Sequence, residues 1–319
     1  MTTSTDSQSQ APGGAFMAPN SVVELRGEEY AGMSLWQTAM RRLRRDYLTL
    51  IAIGVLVVLT ALSFLAPVIT DALNLSYTQP DVASKLLPVG SEGHPLGTDQ
   101  LGRDMLARLL YGGRVSIVIG ISAAFFSLFI GVSLGLLTGY YQGGPLGFID
   151  DALMWFITTL NSIPTLLLLI MLASVLTPSI PTLIFVLTLV SWSGTMRLIR
   201  GETLALREQD YVTSARAIGA GPIRIMFSHI MPNTLSILLT TMAIQIGTII
   251  LVEAALSFLG LGVRPPEPSW GNMLTEAQAH FRQGGHMTVL PGLMIVITVL
   301  SLYLLGDGLR DAFDPRSTK

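Results

Sequence analysis

The side chains able to do chemistry are few and poorly placed for it. Four histidines occur, His94, His229, His280 and His286, and His280 has an acidic neighbour, Glu276, one helical turn before it. No third ligand stands at a comparable spacing, so the pair reads as a surface contact and no metal site is expected. Asp99 and Asp104 have the types needed for a general acid and base. Arg103, four residues after one and beside the other, favours an interfacial charge cluster instead. Cysteine is absent, which removes thiol nucleophiles, disulfides and cysteine-bound metals. Neither lysine, Lys85 nor Lys319, follows a glycine, so the Gly-Lys-Ser/Thr loop that cradles phosphates is missing. No catalytic residue is expected.

The elements that surround these residues are built for lipid. Of 319 residues, 50% are hydrophobic and 13% charged, with a mean hydropathy of +0.58, whereas an ordinary soluble domain carries about 25% charged residues. A soluble single-domain enzyme is excluded. Nineteen basic against 21 acidic residues leave a formal charge of −2, and no basic run rises above that balance, so no nucleic acid is expected as a partner.

An ionised side chain at the bilayer centre costs roughly 2.5 to 3.5 kcal/mol even on lenient scales, so gaps between charges mark candidate spans. Six emerge, at about residues 48–70, 115–138, 152–176, 182–198, 233–258 and 287–306. The charge-free stretch from Ala152 to Met196 would be about 68 Å long as one helix, over twice the hydrocarbon thickness of about 30 Å. It must therefore turn back, at Thr177-Pro178-Ser179-Ile180-Pro181. Pro164, after Asn161-Ser162, should bend the third span, and Asp150 with Asp151 suits that span's helix N-terminus.

Six spans put both termini on one side. On that side stand 13 of the 19 basic residues, among them Arg41, Arg42, Arg44, Arg45, Arg197, Arg200, Arg207, Arg216 and Arg224, against 6 on the other. The positive-inside rule then makes the termini cytoplasmic. Residues 1–34 are rich in Ser, Thr, Gln, Gly and Pro and read as a disordered cytoplasmic tail ahead of a transmembrane domain over 35–319. Residues 35–45 alternate apolar Leu35, Trp36, Met40 and Leu43 with four arginines, the pattern of a helix lying in the interface; a plain charged stop beside a span is the alternative.

The cytoplasmic loop over 199–232 is more than a connector. Asp210 is a good N-cap, Tyr211, Ala215 and Ile218 fall on one face, and Gly219 with Gly221 and Pro222 stops a two-turn helix. Gly219 suits a backbone position with positive φ. A second short helix follows, with Ile223, Met226, Phe227 and Ile230 on one stripe, ended by Pro232 before the fifth span. Helices this short are marginal in water, so something must pack on them. Exposed Thr213, Ser214, Ala215 and Ala217 would admit another protein's surface closely; a basic loop lying on anionic lipid is the alternative.

The run Asp210 to Gly219, with Ile230-Met231-Pro232-Asn233 downstream, resembles the cytoplasmic loop signature of bacterial ABC-importer permeases, which reads Glu-Ala-Ala, three residues, Gly, then Ile-x-Leu-Pro. The glycine and proline match, while Thr213 and Ser214 stand where the family has Glu and Ala. Three further stretches are similar to the second permease subunit of the oligopeptide, dipeptide and glutathione importers. They are His94 to Asp104, then Ser257 to Gly262 with Pro265-Pro266 and Ser269-Trp270-Gly271, and Gly306 to Asp311 with Asp314-Pro315.

The resemblance implies an all-α membrane protein of six transmembrane helices, a type I ABC importer-like permease with an N-terminal interfacial helix, in the bacterial inner membrane. It implies a second homologous permease, two ABC ATPase subunits that carry the ATP and Mg, and an extracytoplasmic substrate-binding protein. No cofactor is expected on this chain. Asp210, Tyr211, Thr213, Ser214, Ala215, Arg216 and Gly219 would then couple to the ATPases, and the cargo would be a peptide or similar polar solute.

The translocation pathway is expected along neutral polar groups, Asn161, Ser162 and Gln245 above all, with Thr158, Thr159, Ser191 and Ser193 beside them. Glu253 is the one acidic residue deep in a span, and is either a pathway or gate group or an interfacial ion-pair partner of Arg264. Pro265, Pro266 and Trp270 offer a rigid outer surface for docking, although Trp270 equally suits self-packing. An ion-coupled secondary transporter is the rival; it needs ionisable residues near the midplane, and the first four spans have none.

Overall fold

The computed structural model describes residues 35–144 and 147–313. The tail expected over residues 1–34, Pro145 and the Asp314-Pro315 pair lie outside the described residues. The described chain is helical almost throughout. A short helix α1 (Leu35–Leu43) leads into α2 (Tyr47–Phe64), whose start is capped by Asp46, accepting from the Leu48 amide at 3.2 Å and from the Thr49 hydroxyl. α2 buries only Thr49, Ala52 and Ser63, so nearly its whole apolar girth faces outward, as a lipid-facing helix does. A stub, α3 (Ala66–Leu73), ends at Asn74 in the left-handed region, φ 53°.

Helix α4 (Met105–Tyr141) runs 37 residues and starts well ahead of the expected Val115. Counting charge gaps excluded Arg108 from the span, yet Arg108 is buried against carboxylates, so its charge does not end the helix. Asp104 caps that start, accepting from the Ala107 amide at 2.8 Å. The third span is broken into α5 (Gly147–Asn161) and α6 (Thr165–Val175), bent by 89° at Ser162 to Pro164, the bend the proline demands.

Ser179 then caps α7 (Ile180–Arg207), which continues well past Leu198; its extra turns are held by Arg200 and Arg207, described below. After α8 (Asp210–Ala217) comes α9 (Pro222–Phe258), one continuous helix in which Ile225–Ile230 widens to π geometry. Pro232 therefore does not end a separate helix: the wide turn carries a residue lacking an N–H through without a break. A short α10 (Trp270–Ala277) and the long α11 (Gly285–Phe313) are the last α-helices of the described residues.

The contacts give the direction of each crossing. Thr49 at the start of α2 meets Gly308 near the end of α11, and Ser63 at the end of α2 meets Gly113 of α4. Gly131, Gly135 and Gly139 of α4 face Thr195, Ile199 and Thr203 of α7 in the same order, so these two helices run parallel and the bent α5–α6 pair supplies the return between them. α9 rises beside α4 in the opposite sense, with Glu253 reaching Ser116. The described chain thus crosses six times, with α1, α8 and the end of α11 at one end and α10 at the other.

Candidate functional site

At the α8 end the loop is fastened to the bundle. Val212 and Ala215 are the buried residues of α8, and Val212 packs with Ile225, Met226 and Ile230 against Leu136 of α4 and Ile199 of α7. The expected stripes differ in detail. Tyr211, Ile218, Ile223 and Phe227 point outward, Ile218 at 87% and Ile223 at 71% exposure; α8 turns Val212 and Ala215 inward instead, and in the second stripe the π turn spaces buried residues five apart, as Ile225 and Ile230 are. Ala215 is likewise buried, leaving Thr213, Ser214 and Ala217 as the small exposed groups. Gln209, and not Asp210, is the N-cap; Asp210 occupies the first turn, where its charge still favours the helix dipole.

Gly219 has φ +89° with open space around it. The Ala220 amide donates to the Ala215 carbonyl at 3.0 Å and that of Gly219 to Arg216 at 3.1 Å, a paired closure that a left-handed residue makes possible. Two arginines bind this loop to the neighbouring helix ends. Arg207 Nη1 donates to the carbonyls of Gly139, Tyr140 and Gln142 at 2.9, 3.3 and 3.0 Å, so a cation covers the unsatisfied C-terminus of α4. Arg216 lies over the Tyr140 ring at 5.9 Å. Further along α7, Arg200 grips the buried Asp150 of α5 through Nε and Nη2 at 2.6 and 2.7 Å, a bidentate geometry. Asp150 is therefore an ion-pair partner as well as a first-turn charge.

The expected pathway residues fall in two places. Asn161 and Ser162 stand exposed at the bend between α5 and α6. The hydroxyls of Thr158, Thr159 and Ser162 turn back to backbone carbonyls of their own helix at 2.7, 2.9 and 2.6 Å, which mutes their polarity. Gln245 sits half-buried on α9, donating to the Ser191 carbonyl at 3.3 Å and accepting from Thr195 at 3.2 Å, so it joins α9 to α7.

The opposite end is held by polar networks. Glu253 is fully buried and accepts from Ser116 of α4 at 3.0 Å and Ser257 at 2.7 Å. Those serine oxygens in turn accept from the amides of Trp270 and Val263 at 3.3 and 3.2 Å. Arg264 is exposed, so the alternative that paired it with Glu253 fails: two serines satisfy the carboxyl where a cation would have to be desolvated. Trp270 is fully buried, its indole donating to the Leu109 carbonyl at 3.0 Å, and it packs against Gly113 of α4. The self-packed alternative therefore holds for Trp270, and only Pro265 and Pro266 remain exposed. Ser269 starts α10 in a reciprocal cap with Asn272, whose amide also holds the Val263 and Glu267 carbonyls at 3.2 and 2.9 Å.

If Glu253 is a fastening group, Glu253→Ala should orphan the two buried hydroxyls of Ser116 and Ser257 and destabilise the subunit by about 2–6 kcal/mol, at about 1–3 kcal/mol per group. Glu253→Gln, which keeps one acceptor, should cost about half that with transport retained. Thermal unfolding beside uptake checks this; lost uptake at unchanged stability in the Gln variant would restore a gate role.

The His94 to Asp104 stretch is a folded clasp, not an acid–base pair. Gly97 and Gly102 take positive φ, +76° and +79°. Asp99 bridges Arg103 at 2.6 Å and Arg108, while Glu276 of α10 bridges the same two arginines, each at 2.7 Å. His94 Nδ1 lies 2.9 Å from Asp104, and His286 Nε2 2.9 Å from the Thr98 carbonyl. Glu276 is thus engaged by arginines and by Gln100 at 3.1 Å. Sequence spacing pointed to Asp99, Arg103 and Asp104, but Arg108 and Glu276 join them only through the fold.

A family model described as binding-protein-dependent transport system inner membrane component matches residues 131–319. Another, the N-terminal TM domain of oligopeptide transport permease C, matches residues 34–88. The chain is 37% identical over 281 residues to the glutathione transport system permease protein of Pectobacterium atrosepticum, covering 88% of this chain and 91% of that one. It is 36% identical over 287 residues to the oligopeptide transport system permease protein of Bacillus subtilis, covering 90% and 92%. Against the dipeptide transport system permease protein of Haemophilus influenzae the identity is 39% over 272 residues, covering 84% and 90%. Among solved structures, an inward facing conformation of the MetNI methionine ABC transporter aligns with a TM-score of 0.55 at 19% identity, over 66% of this chain and 98% of that chain. At that identity the likeness speaks for the fold alone, that of a type I importer permease.

Proposed function

We propose, from the premise that this chain belongs to the family of binding-protein-dependent transport system inner membrane components, that its α8 region receives the stroke of partner ATPases and passes it to the α4–α7 pair. The chain is a permease subunit of an ATP-driven importer, a multi-pass protein of the inner membrane. Its cargo is peptide-like, as the names of its relatives suggest. A second permease completes the pathway, ATP and Mg reside on two separate ATPase subunits, and an extracytoplasmic protein delivers substrate. Both termini face the cytoplasm, in line with the excess of arginine at the α8 end.

The observation that carries this reading is the set of outward apolar side chains Tyr211 and Ile218 at α8 and Ile223 and Phe227 at the start of α9, on a region whose other face is fixed to α4 and α7. Such a patch favours a protein partner, and the rigid rear face turns a push on α8 into movement of whole helices. The ion-coupled alternative is weaker, since Glu253 is held by serines at the far end.

The test is Gly219→Val in the assembled importer. At φ +89° a β-branched side chain is strained by about 1–2 kcal/mol, although nothing crowds it, so the subunit should still insert and assemble. Substrate-stimulated ATP hydrolysis and uptake should fall at least fivefold. Uptake and stimulated hydrolysis at wild-type levels would overturn the coupling role.

A further inference from the structure

Where α1, the start of α2 and the end of α11 meet, the side chains leave a cavity of about 390 Å³ with Arg41, Arg42, Arg45, Asp46, Asp307 and Asp311 in its lining. A second cavity, of about 470 Å³, opens beside it; it shares Arg41 and Arg45 and adds Arg44, Trp36 and Met40, with no acidic group. Both lie where the apolar run of α2 begins at Tyr47, the level of lipid headgroups.

From this charge arrangement we infer that the junction binds the headgroup of an aminophospholipid, phosphate toward Arg44 and Arg45 and the primary ammonium toward Asp307. Each end of such a headgroup meets a complementary charge. Arg44 and Arg45 are exposed and pair with no carboxylate among the described residues, and guanidinium groups suit phosphate oxygens. Of the three carboxylates, Asp46 is occupied as the cap of α2 and Asp311 has an interaction of its own. Asp307, exposed on the last turns of α11, is the acceptor left for an amine. A phosphodiester without an amine would meet the arginines but leave Asp307 as a repelling charge.

The acyl chains have a track as well. Leu48, Ile51 and Val58 are exposed on α2, 64%, 63% and 55%, and Trp36 and Met40 stand outward on α1. Packing at the junction keeps it in shape: Gly308 lets α11 close on Thr49, and the Trp36 ring meets Phe313 edge-on at 5.1 Å. The inference rests on the membrane placement of the chain and is independent of the role given to α8.

The experiment uses the purified importer complex, stripped of lipid in detergent and exposed to mixed micelles carrying equal phosphatidylethanolamine and phosphatidylglycerol. Native mass spectrometry then counts the lipid retained. Wild type should keep phosphatidylethanolamine at least fivefold over phosphatidylglycerol. Asp307→Asn, isosteric and exposed, should lose that preference while keeping total lipid, and Arg44→Gln with Arg45→Gln should lower both lipids at least fivefold. Equal retention of the two lipids by wild type, or an undiminished preference in Asp307→Asn, would overturn the proposal. Equally tight binding of soluble glycerophosphoethanolamine, without acyl chains, would overturn the lipid source. Unchanged thermal unfolding of the Asn variant serves as the folding control.

Discussion

Arg108→Ala should detach the clasp from the bundle and destabilise the subunit by about 3–5 kcal/mol, the usual effect of removing one partner from a buried ion pair. Two arginines and two carboxylates close a ring here, and Arg108, 2% exposed, meets both Asp99 and Glu276. Without it a single guanidinium, Arg103, is left for two carboxylates in a poorly solvated site. The consequence spreads, because Glu276 belongs to the same short helix as Trp270, whose indole fills the space against Gly113. Arg108→Lys keeps the charge but not the fork, and should lose a smaller part. Thermal unfolding of the detergent-solubilised complex measures both, and an Arg108→Ala midpoint equal to wild type would refute the clasp.

The same ring fixes a pH dependence. Burial opposes ionisation of Asp99, but Arg108 and Arg103, with the amides of Arg103 and Leu101, outweigh it and hold the carboxyl below its ordinary range. A carboxyl lowered by folding contributes stability that is complete above its unfolded value of about 3.9 and is lost as pH falls through the folded value. Acid should therefore begin to weaken the clasp only below about pH 4. In Arg108→Ala the leading favourable charge is gone, so the folded value moves back toward the unfolded one and the acid-linked loss should shrink and end at a higher pH.

The count of crossings was legible because its cause is a large energy, the penalty for charge in lipid, which marks every gap between charged residues. The same rule misplaced helix ends wherever a charge is paired. Arg108 lies inside α4 against Asp99, and Arg200 inside α7 against Asp150, and neither partner lies within a helical turn along the chain. Glu253 was ambiguous for a related reason. One of its partners, Ser257, is a turn away, but the other, Ser116, is 137 residues distant. The apolar stripe of Ile223 to Ile230 is misplaced where the backbone leaves the 3.6-residue period at Ile225–Ile230, a departure that no side-chain pattern announces. Gly219 was readable, since a stop after a short helix has few residues that fit it. Asn161 and Gln245 could be named as polar groups in apolar helices, yet only the fold separates the exposed bend of one from the interhelical bridge of the other.

Gly131, Gly135 and Gly139 recur every four residues and are visible in the sequence as a small-residue face, a pattern that lets helices approach closely in lipid. Their partners are not. A Cβ at Gly135 would lie 2.8 Å from the Met196 carbonyl oxygen and 3.1 Å from the Arg200 amide, and one at Gly139 would lie 2.8 Å from the Arg200 carbonyl oxygen. These are backbone atoms, so the contact cannot be relieved by turning a side chain. Gly135→Leu should push α4 and α7 apart along the seam that also carries the Asp150–Arg200 pair and the Arg207 cap. Overpacking costs typically about 1–3 kcal/mol and more where the backbone must move, so a loss above about 3 kcal/mol is expected here, with little assembled subunit recovered. Gly54→Leu, on the outer face of α2 with nothing within 4 Å, tests whether bulk alone is responsible. It should leave the yield of assembled importer and its unfolding midpoint close to wild type, and equal damage from both substitutions would remove the α4–α7 seam as the cause. Because α8 rests on the ends of these same two helices, Gly135→Ala, whose Cβ would itself meet the Met196 carbonyl oxygen at 2.8 Å and so requires the backbone to shift, should weaken both folding and the coupling between hydrolysis and uptake, each by less than Gly135→Leu.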